Sequence, residues 1–326
     1  MSTPATSADA LARRAADLGL KGTSFLTMHH HTPAQIAALL DLAAELKALQ
    51  KQGDSPKLLA GRAVGMIFMK SSTRTRISFE VGIAQLGAQP LFLNANDIQL
   101  RVGETIKDTA HVLSRYLDAI MIRTFAQQDV VDLAAEGSIP VINGLTDDWH
   151  PCQAMADLLT MREHLGALAG KRLVYVGDGN NVAHSLMVGG AKTGMHVTVA
   201  TPVDYQPKEQ VVQWAREDAA ETGATIELAH DLHAAVQGAD VIYTDTWTSM
   251  GQEAEAGVRA ERLKNFQVNM DLLRLAGPQA RVMHCLPAHW GKEITEEVLY
   301  SPQSIVFDEA ENRLHAQKAI LAALIP

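Results

Sequence analysis

From Thr32 onward, apolar side chains recur three and four residues apart, at Ile36, Leu39, Leu40, Ala43, Leu46 and Leu49. That period lines one face of an α-helix. Its start is marked by Pro33 at the first helical position and by a capping box of Thr32 and Gln35. Beyond this helix the pattern changes. Short apolar runs at Val64 to Phe68, Pro90 to Leu93, Ala119 to Ile122 and Pro140 to Ile142 alternate with helical sequence such as Phe79 to Leu86. A second series repeats the alternation at Arg172 to Val176, Val197 to Ala200, Val241 to Thr244 and Val282 to Met283. Strands separated by helices pair in parallel, because each crossover returns the chain to the same end of the sheet. The predicted fold is α/β, with two doubly wound parallel-sheet domains. The join is expected near residues 145 to 160, with a first domain over 1–150 and a second over 151–307.

The first 20 residues are small, polar and Ala-rich, and read as a mobile or partly helical tail. Arg13 and Arg14 suit a transit peptide, whereas Asp9 and Asp17 oppose one. A length of 326 residues fits two cores better than one. Charged residues make up 20%, and no uncharged run approaches the roughly 18 residues of a membrane span. The net charge of -9 excludes the dominant basic surface of a general nucleic-acid binder, so an anionic ligand must be met by local charge. Cys152 and Cys285 are too few for a disulfide framework and lack zinc-ligand spacing, which fits a reducing, cytoplasmic setting.

In open parallel sheets, ligands bind beyond the carboxyl ends of the strands, so the strand exits are where chemistry is expected. After Val64 to Phe68 comes Ser72-Thr73-Arg74-Thr75-Arg76, opening a helix. Hydroxyls, free N–H groups and guanidiniums at a helix N-terminus make an anion site suited to phosphate. Arg123 follows the third run and can reach the same anion; His150-Pro151-Cys152-Gln153 follows the fourth. His150 and Gln153 together offer donors or acceptors for a small planar amide. In the second half, Gly177-Asp178-Gly179 resembles the start of a dinucleotide fingerprint, but the third glycine is missing. The following strand ends in Thr201-Pro202 instead of the acid that would hold a ribose. Asn181, Asp245 and Cys285 stand at the remaining exits.

Taken in order, S-T-R-T-R at Ser72 to Arg76, H-P-C-Q at His150 to Gln153, D-x-x-x-S-M-G at Asp245 to Gly251 and H-C-L-P at His284 to Pro287 resemble the carbamoyltransferase family. The run Phe307 to Gln317 matches as well, and the resemblance spans the chain from about Leu20 to its end. It implies that a C-terminal helix at 308–326 joins the first domain and that the active site lies in the cleft between the two domains. The first two motifs are shared across the family and specify carbamoyl phosphate, whereas S-M-G and H-C-L-P are similar to its ornithine branch. The resemblance implies that Ser72, Thr73, Arg74 and Thr75 hold carbamoyl phosphate, with Arg123, His150, Pro151, Cys152, Gln153 and Arg313 completing that site. It implies that the main chain at Cys285 and Leu286 takes the carbamoyl amide, that Gln99 reaches a neighbouring subunit's site, and that Asn181, Asp245, Ser249 and Met250 bind L-ornithine. A homotrimer, or a higher assembly of trimers, follows from the role of Gln99. No metal, organic cofactor, nucleic acid or membrane is implied.

The reaction so implied is attack by the ornithine side-chain amine on the carbamoyl carbon, giving citrulline and phosphate, within arginine metabolism. Donors from Thr75, Arg123 and His150 would stabilise the developing oxyanion. An alkyl amine has a pKa near 10.4 and must shed a proton before attack. Asp245 is expected to guide the cation in, and Cys285 to position the nitrogen and help remove its proton. Three rivals carry different expectations. A relative that carbamoylates another amine would differ at a few loop contacts, against which S-M-G and H-C-L-P argue. A nicotinamide-dependent dehydrogenase lacks its third glycine and ribose acid, and a non-catalytic assembly protein leaves the set of polar strand exits unexplained.

Overall fold

The computed structural model describes residues 8–94, 98–99, 103–249 and 251–326. The chain divides into two compact units: residues 1–30, 34–152 and 313–326 form one, and residues 31–33 and 153–312 the other. The principal divisions fall inside the helices Pro151–Leu165 and Val306–Leu324, two and five residues beyond the boundaries expected from sequence. A boundary within a continuous helix leaves no Gly, Pro or polar run to mark it.

The first unit is built on β1 (Ala63–Phe68), β2 (Gln89–Asn94), β3 (Ala119–Arg123) and β4 (Val141–Leu145), all parallel in the order β2-β1-β3-β4. Val64, Met66, Ile67, Ala119, Ile120 and Met121 are buried, as expected of strands covered on both faces. The strand order reverses between β1 and β3, and the register sets Phe68 beside Arg123. The S-T-R-T-R segment and Arg123 therefore leave from the two strands that flank the switch point. β4 runs three residues past the predicted Pro140 to Ile142. Asn143 interrupts the apolar run, but its buried amide donates to the Leu26 carbonyl at 3.0 Å and to Gln127 Oε1 at 3.1 Å. Residues 8–17 of the supposed tail form the helix Ala8–Asp17, with Leu11 and Ala15 buried and Arg14 paired to Glu45.

The C-terminal helix closes this unit from Arg313 onward. Lys318 Nζ, nearly without solvent, donates to Gln50 Oε1 at 2.6 Å and Gln85 Oε1 at 3.0 Å. His315, buried beside it, is pushed down to about 3 by burial and then by the charges of Lys318, Lys47 and Lys51.

The second unit carries β5 (Arg172–Val176), β6 (His196–Ala200), β7 (Ile226–Ala229), β8 (Val241–Thr244) and β9 (Arg281–His284), parallel in the order β7-β6-β5-β8-β9. β7 is an edge strand of four residues with Glu227 exposed, too short and too polar to stand out in the apolar pattern. The switch point lies between β5 and β8, whose register pairs Tyr175 with Tyr243 and Val176 with Thr244. The Gly177 turn and Asp245 thus leave from neighbouring strands.

The loop after β5 disposes of the dinucleotide reading. Gly177 takes φ +131°, a region that disfavours side chains. A Cβ at Gly179 would lie 2.3 Å from the Pro207 nitrogen, and the Gly179 N–H donates to the Tyr205 carbonyl at 2.8 Å. The second glycine makes room for the protein's own backbone in place of a pyrophosphate.

Two stability predictions follow from these placements. Gly179→Ala should destabilise the protein by about 1–3 kcal/mol in urea unfolding, because the contact is with backbone that must shift; a change below ~0.5 kcal/mol would contradict the close approach. His315 is neutral when folded and titrates near 6.5 when unfolded. The unfolded chain therefore binds the extra proton below pH 6.5, and stability falls as pH drops from there toward 3. His315→Gln should flatten that fall by up to ~1.4 kcal/mol per pH unit, seen as a smaller difference between unfolding curves at pH 6.5 and pH 5.

Candidate active site

In the first unit the site grows from the start of the helix Thr73–Gln85. Ser72 is its N-cap: its Oγ accepts from the Thr75 N–H at 3.2 Å, and its extended backbone turns the chain from β1 into the helix. Thr75 is buried, and two guanidiniums meet on its hydroxyl oxygen. Arg313 Nη2 donates at 3.0 Å, from the C-terminal helix 238 residues away in sequence, and Arg123 Nη1 donates at 3.4 Å from the end of β3. His150 lies buried in the same cluster. Its loop is tied by the Thr146 N–H to the Trp149 carbonyl and by the Trp149 N–H to Thr146 Oγ1. Burial first, then Arg313, Arg123 and Arg74, hold the His150 imidazole well below its ordinary pKa. It is a neutral ring at any ordinary pH, one nitrogen a donor and the other an acceptor.

The structure thus brings Ser72, Arg74, Thr75, Arg123, His150 and Arg313 together in one unit, with Thr73 opening the helix. Concentrated positive charge around a helix N-terminus calls for an anion. Cys152 plays a different part from the one its motif suggested. Its Sγ is 3.4 Å from the Asn143 carbonyl, and burial pushes the thiol up to about 12, so the side chain is an inert core group. Pro151 begins the helix that follows and offers no N–H. Gln99 is exposed, and Met250 lies outside the described residues.

In the second unit the exits of β5, β8 and β9 converge. Asn180 caps the helix Asn181–Lys192: its Oδ1 accepts from the N–H groups of Val182 and Ala183 and from the Tyr175 hydroxyl. Its Nδ2 is left to donate to Asp245 Oδ2 at 2.8 Å. The other Asp245 oxygen accepts from Cys285 Sγ at 3.0 Å. Asn181 itself is buried in the first helical turn, with its carbonyl taking the Ser185 hydroxyl, while Ser249 is half-buried in the following loop. Leu286 has φ +58°, unusual for a side-chain-bearing residue, and its N–H donates to His284 Nδ1 at 2.8 Å. This bend turns the main chain of H-C-L-P at the exit of β9.

The expected role of Cys285 as a proton acceptor is corrected by this geometry. Burial, followed by the charges of Asp245 and Glu309, raises its pKa well above the usual thiol range, and the sulfur is a donor to Asp245. A thiol so held cannot take a proton from an amine. Asp245, His284 and Cys285 offer one ligand atom each within 4.8 Å. The His284 nitrogens already serve Leu286 and Glu293, and the thiol proton serves Asp245, so the trio reads as a hydrogen-bonded knot.

Sequence reasoning passed over Asn180, Asp157, Tyr243 and Glu309. Asn180 stands one residue before Asn181, and its N-cap position after a strand is the signal that points to it. The other three are core residues whose importance depends on partners far away in sequence.

Two parallel switch-point folds in one chain, one with guanidiniums gathered at a helix N-terminus and the other with a hydrogen-bonded carboxyl, define an α/β protein with a polar strand-exit cluster in each unit. The comparisons with known proteins make this specific. Residues 23–163 match the family model described as the aspartate/ornithine carbamoyltransferase carbamoyl-P binding domain, and residues 169–324 match that of the Asp/Orn binding domain. The chain belongs to the aspartate/ornithine carbamoyltransferase family. It is 57% identical over 308 residues to an ornithine carbamoyltransferase of Pyrococcus abyssi, covering 94% of this chain and 97% of that one. It is 55% identical to an anabolic ornithine carbamoyltransferase of Pyrococcus furiosus, covering 94% of this chain and 98% of that one. A solved ornithine carbamoyltransferase from Pyrococcus furiosus superposes with a TM-score of 0.91 at 55% identity, covering 94% and 98% of the two chains. One from Gloeobacter violaceus gives 0.84 at 47% identity, covering 94% and 99%.

Thr75→Val keeps the side-chain shape but removes the oxygen on which Arg123 and Arg313 meet. Inorganic phosphate, titrated by calorimetry, should bind about tenfold or more weakly to this variant, the loss of charge-assisted hydrogen bonds; affinity within twofold of the parent would refute the anion cradle.

Proposed function

We propose that this protein is an ornithine carbamoyltransferase, moving the carbamoyl group of carbamoyl phosphate to the side-chain amine of L-ornithine with release of L-citrulline and phosphate. The observation that carries this is the meeting of Arg123 and Arg313 on Thr75 beside a neutral His150, at the N-terminus of a helix. In this reading the helix N-terminus with Ser72, Thr73, Arg74 and Thr75 holds the phosphoryl group. Arg123 and Arg313 stabilise its charge as it departs. The carbonyl oxygen of the carbamoyl group accepts from Arg123, Thr75 and a neutral His150 N–H. An N–H donor suits this step, because its hydrogen bond strengthens as the carbonyl oxygen becomes an oxyanion.

The residues of the second unit receive ornithine: Asn181, Asp245, Ser249 and Met250, with Asn180 holding Asp245 in place. Asp245 with both oxygens engaged by Asn180 and Cys285 is a preorganised acceptor for a cationic amine. The Cys285 thiol orients that carboxyl. The main chain of Cys285 and Leu286, turned by the bend at Leu286, takes the carbamoyl amide. The amine must be neutral at the moment of attack, so its proton leaves before the carbon–nitrogen bond forms.

We further place the enzyme in the cytoplasm, in arginine biosynthesis, as a homotrimer in which Gln99 serves a neighbouring site. Two free cysteines and the exposure of Gln99 support that placement, and the net charge of -9 argues against a nucleic-acid partner. Among the described residues, no helix is long and apolar enough to cross a membrane.

Product analysis with carbamoyl phosphate and four acceptors, ornithine, putrescine, acetylornithine and aspartate, should yield product with ornithine at a kcat/KM at least ~10²-fold above the others; preference for another amine would overturn the substrate assignment. The rate at saturating carbamoyl phosphate should rise from pH 6 toward pH 9 as the amine deprotonates. That alkaline rise should persist in Cys285→Ala, because the thiol stays protonated throughout. The same variant loses a donor to Asp245, so its KM for ornithine should rise about tenfold, whereas Cys285→Ser, which keeps a donor, should restore most of it. Disappearance of the alkaline rise in Cys285→Ala would return the thiol to the role of base.

A further inference from the structure

The bend at Leu286 sets a side-chain-bearing residue at φ +58°, a conformation that persists only where its surroundings enforce it. On one side, Leu286 and Ala288 pack against the hydrophobic core of the second unit. On the other, the Leu286 N–H donates to His284 Nδ1 at 2.8 Å. A ring nitrogen that accepts carries no hydrogen, so the His284 hydrogen sits on Nε2. That nitrogen lies 3.3 Å from Glu293 Oε1, and both side chains are fully buried. Burial alone would raise the Glu293 carboxyl, but the His284 hydrogen bond and the His289 N–H outweigh it and hold the group below its ordinary pKa. An ionised carboxylate therefore selects the tautomer of His284, and that tautomer supplies the acceptor on which the bend closes.

The same carboxylate oxygen reaches a second loop. Glu293 Oε1 accepts from the His289 N–H, and the His289 ring lies 3.4 Å from Thr246 Oγ1, on the residue after Asp245. His284 is paired in register with Thr244, the residue before Asp245. Cys285 is thus held between two fixed peptides, and its Sγ donates to Asp245 Oδ1 at 3.0 Å. Every member of this chain of contacts belongs to the second unit.

We propose that Glu293 and His284 are positioning residues for Asp245, the acceptor of the ornithine amine: Glu293 fixes the tautomer of His284, His284 holds the Leu286 bend, and the bend aims the Cys285 thiol at the carboxyl. The inference deepens the ornithine reading above and rests on it. Both residues act through Cys285 and not on the substrate.

Two substitutions of His284 separate its nitrogens. Asparagine places its amide oxygen where the ring carries Nδ1, and glutamine places its amide where the ring carries Nε2. His284→Asn therefore keeps an acceptor for Leu286, whereas His284→Gln keeps only the contact with Glu293. His284→Gln and Glu293→Leu should each raise the ornithine KM about tenfold, the effect of losing a buried hydrogen bond, and His284→Asn should recover most of that loss. The affinity for inorganic phosphate by calorimetry, a property of the first unit, should stay within twofold in all three variants. In protein carrying isotope-labelled histidine, nitrogen NMR should show the His284 ring, identified by its absence in His284→Asn, with one hydrogen on Nε2. In Glu293→Leu that hydrogen should redistribute toward Nδ1. The positioning role is overturned if His284→Asn and His284→Gln raise the ornithine KM equally, if Glu293→Leu leaves it unchanged, if phosphate affinity falls in parallel, or if the parent ring carries its hydrogen on Nδ1. Should Glu293→Leu fail to fold, the His284 pair and the parent spectrum decide by the same criteria. A parent protein that forms no citrulline would instead overturn the underlying assignment, and the His284 spectrum would still report on the relay, which keeps the two failures distinct.

Discussion

Two guanidinium groups sharing one hydroxyl is the constraint on which the first unit depends. Arg123 and Arg313 repel each other, and a protein brings such groups together only when its fold forces the approach and a ligand rewards it. Here β3 delivers one arginine and the C-terminal helix the other, onto a threonine in the first turn of the helix after β1. The neutrality of His150 is a consequence: a ring buried among three arginines cannot accept a proton. So is the inertness of Cys152, whose thiol belongs to the wall behind the cluster.

The second unit solves a different problem, that of holding the Asp245 carboxyl in one orientation with neutral donors. Asn180 and Cys285 donate to Asp245 from either side. Tyr175 completes the arrangement by donating to the Asn180 oxygen, and its strand neighbour Tyr243, stacked at 5.9 Å, reaches Glu309 in turn. The two tyrosines share a register position on β5 and β8, so the same pair of strands orients both the Asp245 group and the buried Glu309 carboxyl. A net charge of -9 does not interfere with anion binding in the other unit, since charges farther away than about 8 Å are largely screened at physiological ionic strength.

Much of this was legible in the sequence. Eight of the strands were marked by apolar runs, and the exits of five carried chemistry in order: Ser72 to Arg76 after β1, Arg123 at β3, His150 after β4, Asp245 after β8 and His284 to Pro287 at β9. The ends of elements were less legible, because Asn143 and Gly144 look like a turn until the buried amide finds Leu26 and Gln127. β7 escaped notice because an edge strand needs little apolar content. Residues 8–17 read as a tail because a short Ala-rich helix shows its purpose only through what Leu11 and Ala15 touch.

The sequence by itself determined the alternation of strand and helix, hence two parallel sheets, and the residue types at each strand exit, because periodicity and local turn chemistry act over a few neighbouring residues. Only the tertiary structure decided what those residues do to one another. It made Cys285 a donor in place of a base, His150 a neutral ring, Gly179 a seat for Pro207 and Glu309 a hub for Gln153, Tyr243 and His284. Each of these outcomes depends on burial and on partners at least 25 residues away, quantities that no local pattern encodes.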